Sequence, residues 1–402
     1  MTSVTAQAAA LPRWIETTGR VGFVAFALFN LVVFVLVAID PTNHSVVQIY
    51  REGSLGWWRG ADIFGEGTAG FIYLPSFAVL YAPFALLGSL VGDILWRLVS
   101  AVLLAFSIAE ALRVALPQFG RRERWLLVGI ALLIALPGAA SALRNGQATN
   151  ILYSLMLLGT VAAVERRWWW CGFLLALAFA LKPLAIVFML LILVLQPPVI
   201  VPLLVWLAIL MALPLVNPDI AHALELYRLG IHKVLVSGAP EAGRWADLTG
   251  LLGHFGIALP ERMLTAIRLV AALATLGLGA LALRRGGRVR GLLNLYALSV
   301  VYLMLMSPRT EAQTYLMLAA TMAIAATLAW HGDRAKGRAM VIIILALLLV
   351  VRGLGAAALA ALDLWWDPAI CVVYLPFLLA DCLRRRDGAA RQPDVVSAGG
   401  GR

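Results

Sequence analysis

Long apolar runs separated by short polar islands set the rhythm of this chain, and many of them reach the roughly 20 residues that a helix needs to cross a bilayer. The first run follows Arg13 and Arg20 and ends at Ile39–Asp40. From Trp125 the chain runs apolar through Leu143, turns at Arg144-Asn145-Gly146-Gln147, and returns through about Val164. The run from Trp168 to Gln196 is interrupted at Lys182-Pro183, which fits two short helices meeting there or one kinked span. Val199–Val216 leads into a polar stretch, 217–262, and the next run ends near Leu283. Leu292–Met306 and Tyr315–Trp330 flank the turn Ser307-Pro308-Arg309-Thr310-Glu311, and the last pair turns at Asp363-Leu364-Trp365-Trp366-Asp367. Two runs, Phe71–Leu87 and Leu95–Leu116, lie between Asp40 and Arg121, where an odd number of crossings is required. One of them is therefore expected to be interfacial or re-entrant, and Tyr73-Leu74-Pro75 with Pro83 suits the first for that place.

Composition agrees with the pattern. Apolar residues make up 62% of the chain and charged ones 13%, against about half and a quarter in soluble domains. The mean hydropathy is +0.91. The net charge of +11 invites a nucleic-acid reading, but the basic residues fall in short clusters between apolar runs. Arg13 and Arg20, Arg121 to Arg124, Arg166-Arg167, Arg284 to Arg290, Arg334 to Arg338 and Arg384 to Arg386 read as cytoplasmic under the positive-inside rule, and no nucleic-acid partner is expected. Spans in lipid must satisfy their own backbone hydrogen bonds, so the expected fold is all-α, a polytopic membrane protein of about 12 helical spans with both termini in the cytoplasm. One transmembrane domain covers 1–386, with extracytoplasmic loops at 40–70 and 217–262, interfacial helices in the first of these, and a disordered cytoplasmic tail at 387–402. Arg13 and Arg20 precede the first run, which has no small-residue cleavage site at its end, so it reads as an uncleaved span of an inner-membrane protein. Cys171, Cys371 and Cys382 lack metal-type spacing and read as small buried hydrophobes.

With those sides assigned, the remaining charged and polar residues collect on the extracytoplasmic face. They are Asp40, His44, Tyr50-Arg51-Glu52, Trp57-Trp58-Arg59 and Asp62, then Arg144, Gln147 and Asn150, then Lys182, then His232, Lys233, Arg244 and Asp247, and last Arg309 with Glu311. Taken singly, several have bland readings. Glu52 can pair with Arg51 or Arg59 on a solvated helix, and Trp57-Trp58 can anchor an interface as aromatic belts do. Lys182 and Arg309 resist that reading, because each sits beside a proline in an apolar neighbourhood where a cation wants an anionic partner. Basic residues with a carboxylate at a membrane surface point to a phosphate-bearing substrate and a general base. The sequence has no P-loop and no GxGxxG, so a nucleotide-driven reaction is unsupported.

As a set these residues resemble glycosyltransferase family 87 of the GT-C superfamily, long catalogued as a domain of unknown function. The resemblance rests on Tyr50-Arg51, Trp57-Trp58-Arg59-Gly60-Ala61-Asp62-Ile63-Phe64, Gly70-Phe71-Ile72-Tyr73-Leu74-Pro75 and Leu95-Trp96-Arg97. It continues in the Gly-Gln-x-x-Asn turn at Gly146-Gln147-Ala148-Thr149-Asn150, the Lys182-Pro183 break and Ser307-Pro308-Arg309-Thr310-Glu311. It covers about 20–330, and its order and spacing are more specific than any one motif.

The resemblance implies inverting transfer of a sugar, mannose in the best-known case, from a polyprenyl-phosphate donor to a lipid or glycan acceptor outside the cytoplasm. It implies a carboxylate base in the first outer loop. The mannosyltransferase branch carries Asp-Leu-x-Val-Tyr there, whereas this chain has Val46-Val47-Gln48-Ile49-Tyr50, with Val46 in the aspartate's place. Asp40, Glu52 and Asp62 are then the candidate bases, in that order. Lys182, Arg309 and Arg144 would bind donor phosphate, while Gln147, Asn150, Tyr50, Trp58 and Glu311 would meet the sugar or the acceptor. Helix capping is an equal reading of Gln147 and Asn150. No metal ligands are assigned, and a divalent metal stays open because superfamily members differ in requiring one. The competing readings are a transporter or flippase of a lipid-linked anion, which lacks the internal repeat it would need, and a non-catalytic family member.

Overall fold

The computed structural model describes residues 12–65, 67, 69–217, 219–237, 245–333 and 335–385. The expected tail at 387–402, together with Arg244, lies outside them. The chain is all-α: sixteen α-helices, and no strand among the described residues. In order they are α1 (Arg13–Ile39), α2 (Val47–Trp58), α3 (Pro75–Leu86), α4 (Gly88–Ala115), α5 (Arg121–Asn145), α6 (Ala148–Val164), α7 (Trp168–Leu181) and α8 (Ile186–Leu195). There follow α9 (Ile200–Ala212), α10 (Ile220–Ser237), α11 (Leu248–His254), α12 (Glu261–Met306), α13 (Leu316–His331), α14 (Lys336–Leu348), α15 (Ala356–Leu362) and α16 (Trp366–Leu383). Among the described residues, seven helical segments are long and apolar enough to cross a membrane by themselves, those of α1, α4, α5, α9, α12, α13 and α16. The lipid-facing surface is plain on α1, where Val21, Val24, Leu28, Leu31, Val32 and Val35 are all exposed.

The two runs after Asp40 are now told apart. The first forms α3, 12 residues from Pro75 at its first position, which spans about 18 Å, less than half the length of the helix that holds the second. The second belongs to α4, 28 residues long. The run broken at Lys182-Pro183 is two helices: α7 stops at Leu181, Lys182 is extended (φ −152°, ψ 115°), and a 3₁₀ turn at Pro183–Ala185 starts α8. A second break falls inside α12, where Gly287 has φ 74° and ψ −178°, so 261–286 and 288–306 are separate rods.

Helices α6 and α13 are the most enclosed, and the bundle closes around them. Small residues let backbones approach in lipid, where no hydrophobic force drives helices together. Gly22 of α1 lies so close to α5 that a Cβ on it would stand 1.9 Å from the Gly129 carbonyl oxygen.

The arginine clusters meet at one end of the bundle, joined by ion pairs. Glu16 accepts from Arg20 at 2.5 Å and Arg122 at 2.6 Å, and Arg113 bridges Glu110 at 2.7 Å and Glu165 at 2.6 Å. Asp333 takes Arg290 at 2.6 Å and Arg384 at 2.9 Å, while Asp381 takes Arg338. A cavity of about 510 Å³ opens there, lined by Gly287, Arg290, Tyr296, Asp333, Tyr374 and Asp381 among others.

Candidate active site

The opposite end is built around the tight turn between α5 and α6. Gly146 ends α5 in the left-handed region (φ 67°), a conformation glycine adopts at no steric cost, and a Cβ there would stand 2.3 Å from Val47. Several groups fasten that turn. Trp96 donates Nε1–H to the Gly146 carbonyl at 2.8 Å, Val46 N–H donates to the Asn145 carbonyl at 3.1 Å, and Arg97 Nε donates to the Arg144 carbonyl at 3.0 Å. Arg97 is fully buried and also reaches Ser45 Oγ at 2.9 Å and the Asp93 carbonyl at 3.2 Å. Asp93, equally buried, accepts from Arg51 Nη1 at 3.1 Å. One buried charge network thus pins the first loop, α2, α4 and the turn together.

Tyr50 belongs to the same scaffold. Its hydroxyl meets Tyr73 Oη at 3.0 Å and accepts from Ala148 N–H at 3.2 Å, with Tyr73, Phe77, Tyr81 and Trp96 packed edge-on around the ring. Burial pushes its pKa up to about 12, so it acts as a neutral hydrogen-bonding group. Asn150 is buried as well and donates to Ser100 O at 3.0 Å and Oγ at 2.6 Å, which fastens α6 to α4.

Above this scaffold the structure gathers Lys182, Gln147, Arg309 and Glu311. Lys182 Nζ donates to Thr149 Oγ1 at 2.8 Å, which holds the ammonium at the first turn of α6, where the helix dipole favours an anion. Glu311 and Arg309 both lie within electrostatic range of Lys182. Gln147 is the N-cap residue of α6, yet its amide makes no cap bond and reaches Glu311 Oε2 at 3.5 Å. The Arg309 guanidinium lies 4.8 Å from the centre of the Trp245 ring. Lys233 of α10 extends this basic patch toward Arg309 and Asp62, and donates to the carbonyls of Gly65 at 2.6 Å and Gly67 at 2.8 Å. Burial and then Arg309 pull its pKa below the ordinary lysine value, Asp62 acting the other way.

The first-loop carboxylates are placed differently. Asp40 ends α1 in the open, with Oδ1 accepting from Thr42 Oγ1 at 2.6 Å and Thr42 N–H at 2.9 Å, bonds that hold its pKa below the usual carboxylate value. Asp62 is exposed and accepts from Phe64 N–H at 2.8 Å. Glu52 and Trp58 are exposed on α2, Trp58 edge-on to Trp57. The Arg144 side chain is half-buried beside the turn. Among the described residues no group of three or more His, Cys, Asp or Glu gathers as a metal site.

Residues 71–308 match the family model of glycosyltransferase family 87. The chain belongs to that family. The match takes in more than half of the chain, from just before α3 to the residue preceding Arg309, and includes Arg144, Gln147, Asn150 and Lys182. No curated protein and no solved structure matches it. Membership makes this polytopic chain a membrane glycosyltransferase, with a sugar donor and an acceptor as its substrates.

Sequence reasoning passed over Thr149, Trp245 and the Asp93 carboxylate, and left Lys233 without a role. Asp93 had a signal, a charge inside an apolar helix. Thr149 and Lys233 had none, since their partners are 33 and 166 or more residues away.

Proposed function

We propose that this glycosyltransferase takes its sugar, mannose by expectation, from a polyprenyl-phosphate donor and transfers it with inversion to a lipid or glycan acceptor on the extracytoplasmic face. The observation that carries this reading is Lys182, held by Thr149 at the N-terminus of α6 with Arg309 and Glu311 in range. A phosphate seated there meets an ammonium, a guanidinium and the positive end of the α6 dipole. The leaving phosphomonoester carries one more negative charge than the donor phosphodiester, so cations at that point stabilise the transition state more than the ground state. A leaving group so stabilised needs no acid, and the chemistry then requires only a base for the acceptor hydroxyl.

The opposite end of the bundle supports the sidedness in this reading. The paired arginines there read as cytoplasmic. With α3 kept at the interface, and with α6, α7, α8, α14 and both rods of α12 counted as crossings, the chain makes about 12 passages and both termini fall in the cytoplasm. On this reading the site faces outward from the cytoplasm of a bacterial inner-membrane protein.

The test is transfer by the purified protein in lipid nanodiscs, given labelled short-chain polyprenyl-phosphate mannose and an envelope lipid extract. Labelled product, lost in Lys182→Ala and Arg309→Ala, is the expected result. No transfer from any of a panel of polyprenyl-phosphate sugars would overturn the donor assignment.

A further inference from the structure

We propose that Glu311 is the general base of the transfer, in place of a first-loop carboxylate; this assignment rests on the lipid-phosphate reading above. Its backbone is fixed from both sides. Thr310 is buried, its Oγ1 donates to the carbonyls of Leu303 and Ser307 at 3.2 Å, and its own carbonyl accepts from Ala246 N–H at 2.9 Å. The Glu311 carbonyl accepts from Thr314 N–H at 2.9 Å, which starts the 3₁₀ turn leading into α13. The side chain is half-buried and meets the Gln147 amide at 3.5 Å. Lys182 is near enough to feel Glu311 but spends its short hydrogen bond on Thr149. The carboxylate and the ammonium are therefore within electrostatic reach of each other without forming an ion pair.

No other described carboxylate shares that placement. Asp40 and Asp62 are exposed, and each is engaged by a backbone N–H two residues on. Glu52 points away from the face of α2 that buries Val47, Tyr50, Ser54 and Trp57. Asp93 is enclosed and bonded to Arg51, and Asp247 caps α11 through Thr249 and Gly250. Among the described carboxylates, Glu311 is the one that acts on Lys182.

An acceptor oxygen forms its bond to the anomeric carbon while its proton passes to a Glu311 carboxylate oxygen. The bond from the anomeric carbon to the phosphate oxygen breaks, and its electron pair leaves with the polyprenyl phosphate, which becomes a dianion facing Lys182 and Arg309. Gln147 is a positioning residue, holding one Glu311 oxygen so that the other meets the hydroxyl.

The experiment compares Glu311→Gln, Glu311→Ala, Asp40→Asn, Glu52→Gln and Asp62→Asn in the nanodisc assay, with retention of labelled donor as the control for a folded site. Glu311→Gln is expected to retain donor and to lose about a hundredfold or more in kcat, a larger loss than any first-loop variant shows. Azide carries no proton and needs no base, so adding it to Glu311→Ala should yield the glycosyl azide of inverted configuration, an outcome that a merely structural glutamate would not give. Near-normal turnover in Glu311→Gln, or a deeper loss in a first-loop variant, overturns the assignment while leaving the donor reading intact. An inactive wild type with every lipid-phosphate sugar overturns the donor reading instead.

Discussion

The two ends of the bundle both carry many charges but satisfy them differently. At the arginine-rich end several acids are closed on cations: Arg338 on Asp381, Arg290 and Arg384 on Asp333, Arg113 on Glu110 and Glu165. Such pairs hold helix ends together and leave little field for a ligand, even around a cavity as large as the one at Gly287. At the other end Lys182 is steadied by a hydroxyl, with its nearest carboxylate in range but engaged with an amide. A lysine whose close partner is neutral keeps its charge for a substrate. The kind of partner, more than the number of charges, separates the anchoring end from the one we propose as reacting.

The strongest challenge to that contrast comes from the site end itself, where Arg97, Asp93 and Arg51 form a buried charge network like those opposite. Arg97→Met strands the buried Asp93 with one cation fewer and cuts the bonds to Ser45 and the Arg144 carbonyl. We expect a loss of about 3–5 kcal/mol of stability, read as a large drop in the thermal transition of the detergent-solubilised protein. A folded Arg97→Met protein with wild-type stability but no turnover would move this residue from scaffold to chemistry.

Next in size is a crossed pair of substitutions, one at each end. Lys182→Ala should cost about 10²–10³ in kcat, or roughly 3–4 kcal/mol, with the thermal transition nearly unmoved. Arg338→Ala should do the reverse, lowering the transition because Asp381 loses its short partner, while the folded fraction turns over normally. Equal effects of both on turnover would dissolve the distinction between the ends.

Much of this was legible in the sequence because lipid simplifies the code. Run length and the arginine islands were enough to expect α1, α5 and α16, and a proline after a lone lysine marked the α7–α8 break. The crossing problem between Asp40 and Arg121 stated its own ambiguity, and α3 is the shorter of the two helices in question. The candidate site was legible in its cations, since Lys182 and Arg309 are costly in apolar surroundings and so conspicuous. Its carboxylates were not. A residue's place next to a span says nothing about whether its side chain turns inward, and the bonds from Asp40 to Thr42 and from Gln147 to Glu311 exist only once the turns have formed.

A substitution on the α1–α5 seam alters the body of the bundle and neither set of charges. Gly22→Leu forces side-chain atoms into the space held by the Gly129 carbonyl, and should cost about 1–3 kcal/mol as the helices separate. Donor KM should stay near wild type, because the turn at Gly146 is held by α4 and the first loop. A large change in KM would mean that the seam transmits to the site.

The smallest effect is the most specific to the contrast between the ends. Thr149→Val keeps the shape of the side chain and removes the hydroxyl that receives Lys182 Nζ. The net worth of such a bond is about 0.5–1.5 kcal/mol, somewhat more with a charged donor, so kcat/KM should fall roughly three- to tenfold. Thr149→Ser should restore most of it, since the acceptor oxygen returns. With the hydroxyl gone, Lys182 is expected to swing toward Glu311 and close the pair that the wild type leaves open. That pairing should show as a higher donor KM, because the ammonium then has a competing anion. If Thr149→Val instead leaves KM unchanged, the hydroxyl is not what keeps Lys182 apart from Glu311, and the open geometry must be held by the break in the chain at Lys182-Pro183.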